Sequence, residues 1–256
     1  MIRISIVTIT WNAARTLGRT LDSVASQTYT DIEHLIVDGA STDGTLAIAN
    51  RYKDASRHTV SIMSEPDRGL YDAMNKGLLR ATGDYVVFLN AGDTLPDAQT
   101  IQTVADAAIA SRPCATDELP AVIYGDTNVV DSEGRYLHPR RLRPPQTLTW
   151  KSFRKGMLVC HQAFYARLDL ARQTPYDLRY RHSADVDWCI RLMREADRLG
   201  LPLVNTHAVL ANFEEGGNTT QHHRASLRER FDVMRRHYGL LPTLAMHVWF
   251  VVCRQR

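Results

Sequence analysis

Four short apolar runs, separated by stretches with helical spacing, constrain this chain most. Residues 2–10, 34–37, 60–63 and 85–89 have strand length and lean on Val and Ile. Leu17, Leu21 and Val24 form a helical stripe after Asn12. A second helix is expected after Thr42, a third over residues 70–80, and a fourth after Pro96, because proline suits a first helical turn. A β-α-β-α-β-α-β order predicts an α/β fold built on a doubly wound, mostly parallel sheet.

In such sheets ligands sit beyond the carboxyl ends of the strands. Two of the runs end on carboxylates: one on Asp38-Gly-Ala-Ser-Thr-Asp43, the other on Asn90-Ala-Gly-Asp93. That pairing points to a nucleotide and a divalent cation. The first strand carries no G-x-G-x-x-G, and no G-x-x-x-x-G-K-[ST] occurs anywhere, so neither usual phosphate cradle is present. A polar rim, Thr8-Ile-Thr-Trp-Asn12, follows instead. A metal and Arg or Lys are the simplest remaining holders of phosphate.

Individual rim residues suggest specific chemistry. An ionised carboxylate only accepts hydrogen bonds, so Asp38 could take the ring N–H of a uracil. An Asp at that place could equally organise the turn before a helix. Residues 65–77 crowd polar groups into a strand-to-helix connection, with Asp67 and Arg68 where a helix N-terminus would meet a ligand. Asp72, Asn75 and Lys76 fall at i, i+3 and i+4 and share a face.

Composition narrows the class. The chain has 256 residues, 44% of them hydrophobic and 23% charged, enough for a sizeable core. The net charge of +3 names no partner, but its distribution is uneven. Seven cations and no acid lie between Arg135 and Lys155, and seven Arg face only Glu229 and Asp232 from residue 224 onward. One-signed segments of this kind suit phosphates, an anionic membrane surface or plain solvent. Few aromatics are interleaved and no recognition motif accompanies them, so nucleic acid is not an expected partner. The four cysteines are scattered, which fits a reducing cytoplasm better than a disulfide or zinc framework. No export signal opens the chain, and no apolar run reaches the roughly 20 residues needed to span a bilayer. Residues 240–253 read as a terminal core helix or as an interfacial one flanked by Arg, the second being preferred. The expected location is therefore cytoplasmic, with a peripheral position at the inner membrane face.

Taken in order, Thr8-Ile-Thr-Trp-Asn12, the Val-Asp-Gly-Ala-Ser-Thr-Asp-Gly44 segment, residues 65–77 and the Gly-Asp-Tyr-Val-Val-Phe-Leu-Asn-Ala-Gly-Asp93 segment resemble the family-2 glycosyltransferases of GT-A fold, notably those of bacterial polysaccharide assembly. The likeness is strong over roughly the first 95 residues. It implies an inverting transferase that takes a nucleotide-activated sugar, usually a UDP-sugar, with Mg²⁺ or Mn²⁺. It implies nucleotide-sugar contacts at Thr8, Asn12, Asp38, Asp67, Arg68, Asn75, Asn90 and Asp93. Asn90 to Asp93 stand where the family carries its D-x-D metal motif. Only Asp93 remains as a charged ligand there, although one carboxylate plus diphosphate can suffice for a hard cation. The thinned motif leaves an alternative: a nucleotide-sugar-binding scaffold without turnover.

After residue 120 the rhythm changes. Residues 121–124 and 127–130 read as two short strands, 158–165 as strand-like, and 203–213 as extended. A helix capped by Ser183 is expected to run to about residue 198. His182-Ser-Ala-Asp-Val-Asp-Trp188 resembles the family's acidic base motif, which implies Asp185 as catalytic base. His161-Gln162 resembles an acceptor-side motif. The loop Gly216-Gly-Asn-Thr-Thr220 could close over the donor. The organisation expected is one domain: a nucleotide-sugar half (1–120), an acceptor half (121–220), and two C-terminal helices (221–256) facing a membrane surface. The acceptor implied is a glycan or a polyprenyl-diphosphate-linked sugar.

Overall fold

The computed structural model describes residues 1–111, 118–216 and 223–253. Residues 217–220 of the proposed mobile loop lie outside them. An eight-stranded sheet runs in the order β3-β2-β1-β4-β7-β5-β6, with β8 paired to β5. β1 (Ile4–Thr10), β2 (Ile32–Asp38), β3 (Thr59–Ser64) and β4 (Tyr85–Phe88) are mutually parallel, as the alternating rhythm predicts. β1, β2 and β4 are buried along their whole length, which is why they read as apolar runs. β3 lies at the edge and is half exposed.

The second half continues the same sheet. β7 (Phe164–Arg167) pairs antiparallel with both β4 and β5 (Val122–Val130), and β8 (Leu203–Glu214) runs parallel to β5. β6 (Tyr136–Pro139) closes the edge. The two short strands expected at 121–130 are one strand whose pairing to β8 shifts register around residues 124–127. The strand-like stretch 158–165 is a 3-10 turn, His161–Ala163, that leads into β7.

Helices α1 (Leu17–Ala25), α2 (Thr45–Ala55), α3 (Leu70–Arg80) and α4 (Thr100–Ala110) occupy the expected places. Pro96 precedes α4 by four residues and does not sit in its first turn. Leu17, Leu21 and Val24 are the buried stripe of α1. One face of the sheet packs on α3, α5 (Leu168–Gln173), α6 (Ala184–Leu199) and α7 (His223–Tyr238), through Met74, Leu170, Trp188 and Val233. The other face packs on α4 through Ile101, Val104 and Ala108. Gly200, in left-handed conformation, ends α6. Ser183 stands at its N-cap without capping it; its hydroxyl lies 3.4 Å from that of Ser226 on α7. A final helix, α8 (Leu240–Cys253), follows Gly239.

Candidate active site

The carboxyl ends of β1, β2, β3 and β4 share one rim. Thr10 pairs in register with Asp38, and Asp38 with Ser64. The loops beyond these ends are laced together. Asn12, at φ 47°, receives the Thr42 N–H on Oδ1 (2.9 Å) and donates its own N–H to Ser41 Oγ (2.8 Å). Asp67 crosses from the β3 loop to lie over Gly39, where a Cβ would come within 2.5 Å of Asp67 Oδ2. A side chain at 39 would displace the Asp67 carboxylate from this position. Trp11 borders the same spot, and its ring is 69% exposed. Sequence reading missed Trp11, although an exposed indole beside a predicted nucleotide rim is a stacking platform.

Asp38 is fully buried and accepts from Ser41 N (2.9 Å), Ser41 Oγ (2.5 Å) and Ser64 Oγ (2.7 Å). Like Asp43, which accepts from Thr45 N (2.9 Å) and Ala14 N (3.1 Å), it organises the turn. Of about four acceptor sites on a carboxylate, one remains for a ligand N–H. Asp67 receives the Gly69 N–H (2.7 Å), and Arg68, 79% exposed, pairs with Asp72 (2.9 Å). Thr8 and Asn75 are placed elsewhere. Thr8 lies inside β1 with Oγ1 2.9 Å from His34 Nε2, beneath the rim. Burial holds that imidazole down at about 3, so it stays neutral. Asn75 clamps Tyr176, donating to its carbonyl (3.0 Å) and accepting its N–H (2.8 Å). Both bonds brace α3 against the chain before α6, and Asn75 does not join the rim cluster.

Asp93 is buried at the end of β4. Its carboxylate accepts from Gln162 Nε2 (2.7 Å) and from the Glu214 N–H (3.0 Å). Burial pushes its pKa up to about 6 against these bonds, with Glu214 adding to the rise and His161 opposing it. Gly92, at φ 110°, faces the Glu214 carboxylate, which Arg19 pairs; a Cβ at 92 would collide with it. Two buried oxygens here have no partner, Thr10 Oγ1 and Asn90 Oδ1. Orphaned oxygens are costly unless a ligand or cation satisfies them. Like the Asp93 carboxylate, they are hard oxygens of the kind Mg²⁺ or Mn²⁺ accepts. Among the described residues no three His, Cys, Asp or Glu side chains group to hold a metal alone. A cation would therefore need oxygens from diphosphate and water.

The neighbouring residue, His161, reaches the opposite wall. Asn90 Nδ2 lies 3.3 Å from His161 Nε2, and His161 Nδ1 lies 3.4 Å from Asp185 Oδ2. An amide nitrogen only donates, so Nε2 accepts and Nδ1 presents its proton to Asp185. Asp185 Oδ1 also accepts from Tyr71 Oη (3.1 Å) and Val186 N (2.9 Å). Burial raises the Asp185 pKa, but His161, the charge of Arg230 and the Val186 N–H outweigh it and hold the group below its ordinary value. The carboxylate is thus ionised at neutral pH and 17% exposed. Asp187 differs: fully buried, it pairs Arg191 (2.7 Å) and His237 (2.7 Å) and ties α6 to α7. Arg230, on the face of α7 between Ser226 and His237, was also missed in the sequence. Its Nε is buried without a partner.

This geometry can be set beside known proteins. The Glycosyl transferase family 2 model matches residues 5–171. The chain belongs to glycosyltransferase family 2. A "PGL/p-HBAD biosynthesis glycosyltransferase" of Mycobacterium bovis is 37% identical over 214 residues, covering 83% of this chain and 77% of the relative. The "Amylovoran biosynthesis glycosyltransferase AmsB" of Erwinia amylovora is 28% identical over 83% of this chain and 69% of its own. Among solved structures, S. aureus TarS 1-349 in complex with UDP-GlcNAc superposes with a TM-score of 0.71 at 18% identity, covering 97% of this chain and 73% of that one. The mannosyltransferase PcManGT of Pyrobaculum calidifontis, in complex with GDP-Man and Mn²⁺, gives 0.65 at 15% identity, over 98% and 75%. The fold is that of GT-A glycosyltransferases, and this family-2 chain is a glycosyltransferase of glycan or glycolipid biosynthesis.

Proposed function

We propose that this glycosyltransferase moves a sugar from a UDP-sugar, with inversion, to a hydroxyl of a glycan or lipid-linked acceptor. One observation carries the reading: the consecutive residues His161 and Gln162 hold Asp185 and Asp93, so an ionised carboxylate stands across from the donor rim. Asp185 takes the proton of the acceptor hydroxyl as its oxygen bonds the anomeric carbon. The bond from that carbon to the diphosphate oxygen breaks on the opposite side, and UDP leaves with the electron pair. Tyr71 and His161 fix the Asp185 carboxylate in place. Asp38 accepts the uracil N–H, Trp11 stacks on the base, and Asp67 and Arg68 line the pocket. Asn90 Oδ1 and Asp93 would hold Mg²⁺ or Mn²⁺, which would neutralise charge on the departing diphosphate. Arg230 adds a fixed cation to the same centre. The sheet continuous from β3 to β6 supports reading the donor and acceptor halves as one domain.

A panel of UDP- and GDP-sugars, with and without Mn²⁺, tests this by release of nucleoside diphosphate and by the anomeric configuration of the product. The expected result is UDP release raised by Mn²⁺ and an inverted linkage. Tight UDP binding with no release from any donor would favour a scaffold, and a retained configuration would remove Asp185 as base.

A further inference from the structure

The last helix buries one apolar face and exposes another. Thr243 is buried, Met246 packs against the main core, and the His247 ring meets Phe231 of α7 at 5.0 Å. These positions form the inner side of α8. The opposite side carries Leu240, Leu241, Leu244, Val248 and Trp249, all exposed, with Leu241 at 79%. They recur at a spacing of about four and make one stripe. A solvated helix face would carry charge there, yet α8 contains no Asp, Glu, Lys or Arg.

The charge lies next to it. The 3-10 turn Trp150–Lys155 packs against α8 and supplies Lys151, Arg154 and Lys155, the two lysines exposed. It is anchored at the α7–α8 corner, where Trp150 stacks on Tyr238 (5.6 Å between centroids, 5° between planes) and the Arg154 guanidinium lies 5.2 Å above the Tyr238 ring. Leucines with an adjoining cationic cluster, and a Trp in the stripe, are the make-up of a helix lying in a bilayer interface. Among the described residues no helix is long and apolar enough to cross a membrane; the 14 residues of α8 at about 1.5 Å each span less than a hydrocarbon core of about 30 Å.

We propose that the outer face of α8, with Lys151 and Lys155, docks this glycosyltransferase on an anionic membrane surface. The placement gives docking a purpose. α8 folds back along α7 so that His247 meets Phe231, the neighbour of Arg230, whose charge reaches Asp185. A membrane held on α8 therefore lies alongside the helix that borders the catalytic carboxylate, within reach of an acceptor carried on a lipid. The inference goes beyond the proposed chemistry, and it is read without turnover.

Co-sedimentation of the full chain with vesicles of phosphatidylcholine plus phosphatidylglycerol tests it. The protein should pellet with these vesicles, less with phosphatidylcholine alone, and less at high salt. Leu241→Glu with Leu244→Glu should abolish pelleting while UDP binding persists. Lys151→Gln and Lys155→Gln, at exposed positions that leave folding intact, should each weaken partitioning about fivefold. The proposal is overturned if the wild type stays in the supernatant, or if all variants pellet equally. It is also overturned if light scattering finds a dimer that the Leu→Glu pair dissociates and no vesicle binding, for then a second copy covers the stripe.

Discussion

The donor rim and the acceptor wall are built in opposite ways. On the rim, most carboxylates are held by near neighbours: Asp38 by Ser41, Asp67 by Gly69, Asp72 by Arg68. On the wall, and at Asp93 where the rim meets it, partners come from far along the chain: Asp185 from Tyr71, 114 residues away, and Asp93 from Glu214, 121 residues away. A locally built site keeps its shape when one member is lost. A site assembled from distant elements depends on the whole sheet and should fail cooperatively.

Asp93→Ala should have the largest effect among tests of that contrast. It releases both Gln162 and the Glu214 N–H and removes the carboxylate proposed to hold the cation, so transfer should fall by about 10²–10³ or more, measured as UDP release. Gln162→Ala should follow. It removes one of two bonds to a buried carboxylate, a loss of about 1–3 kcal/mol, and it should move the acid limb of the rate profile upward. In the wild type without added metal that limb should lie near pH 6, and a bound cation should move it lower by favouring the ionised carboxylate. Asp93 must be ionised to act, so the rate falls as pH drops through about 6, while Asp185, held below its ordinary value, stays charged over that range. Stability has the opposite sign for this group. A raised folded-state pKa means the folded chain binds the proton more tightly, so protonating Asp93 stabilises the fold while it silences transfer. Rates that stay flat from pH 7 to 5 both with and without added Mn²⁺ would remove Asp93 from the mechanism.

Smaller effects separate the rim from its supports. Arg230→Ala should lower the rate about tenfold and raise the pKa of Asp185, with partial recovery in Arg230→Lys, read from the pH profile. Asn75→Ala should leave the donor KM unchanged and lower Tm, because its two bonds to Tyr176 brace the fold at about 0.5–1.5 kcal/mol each. A changed donor KM would restore Asn75 to the nucleotide pocket.

The same contrast explains what could be read from the sequence. The parallel strands and α1 to α4 were legible because each is a local pattern: an apolar run, a stripe, a polar break. The rim residues were legible because they follow directly on strand ends. Asp185 could be preferred to Asp187 by resemblance, and the physical reason appears only with His237 and Arg191 in place around Asp187. Arg230 has no local mark at all; it is one Arg among several on a helix whose inner face is fixed by α6. Ser183 fits a capping pattern but bonds across to α7, a tertiary contact that overrides the local preference. Thr8 and Asn75 sit in the right segments, yet their hydrogen bonds to His34 and Tyr176 give them structural work.

The most direct test of the account is to measure UDP affinity and transfer rate together in Asp185→Ala. If the rim binds and the wall reacts, transfer falls by about 10²–10⁴ while the Kd for UDP stays at its wild-type value. Full transfer in that variant, or loss of UDP binding along with the rate, would contradict it.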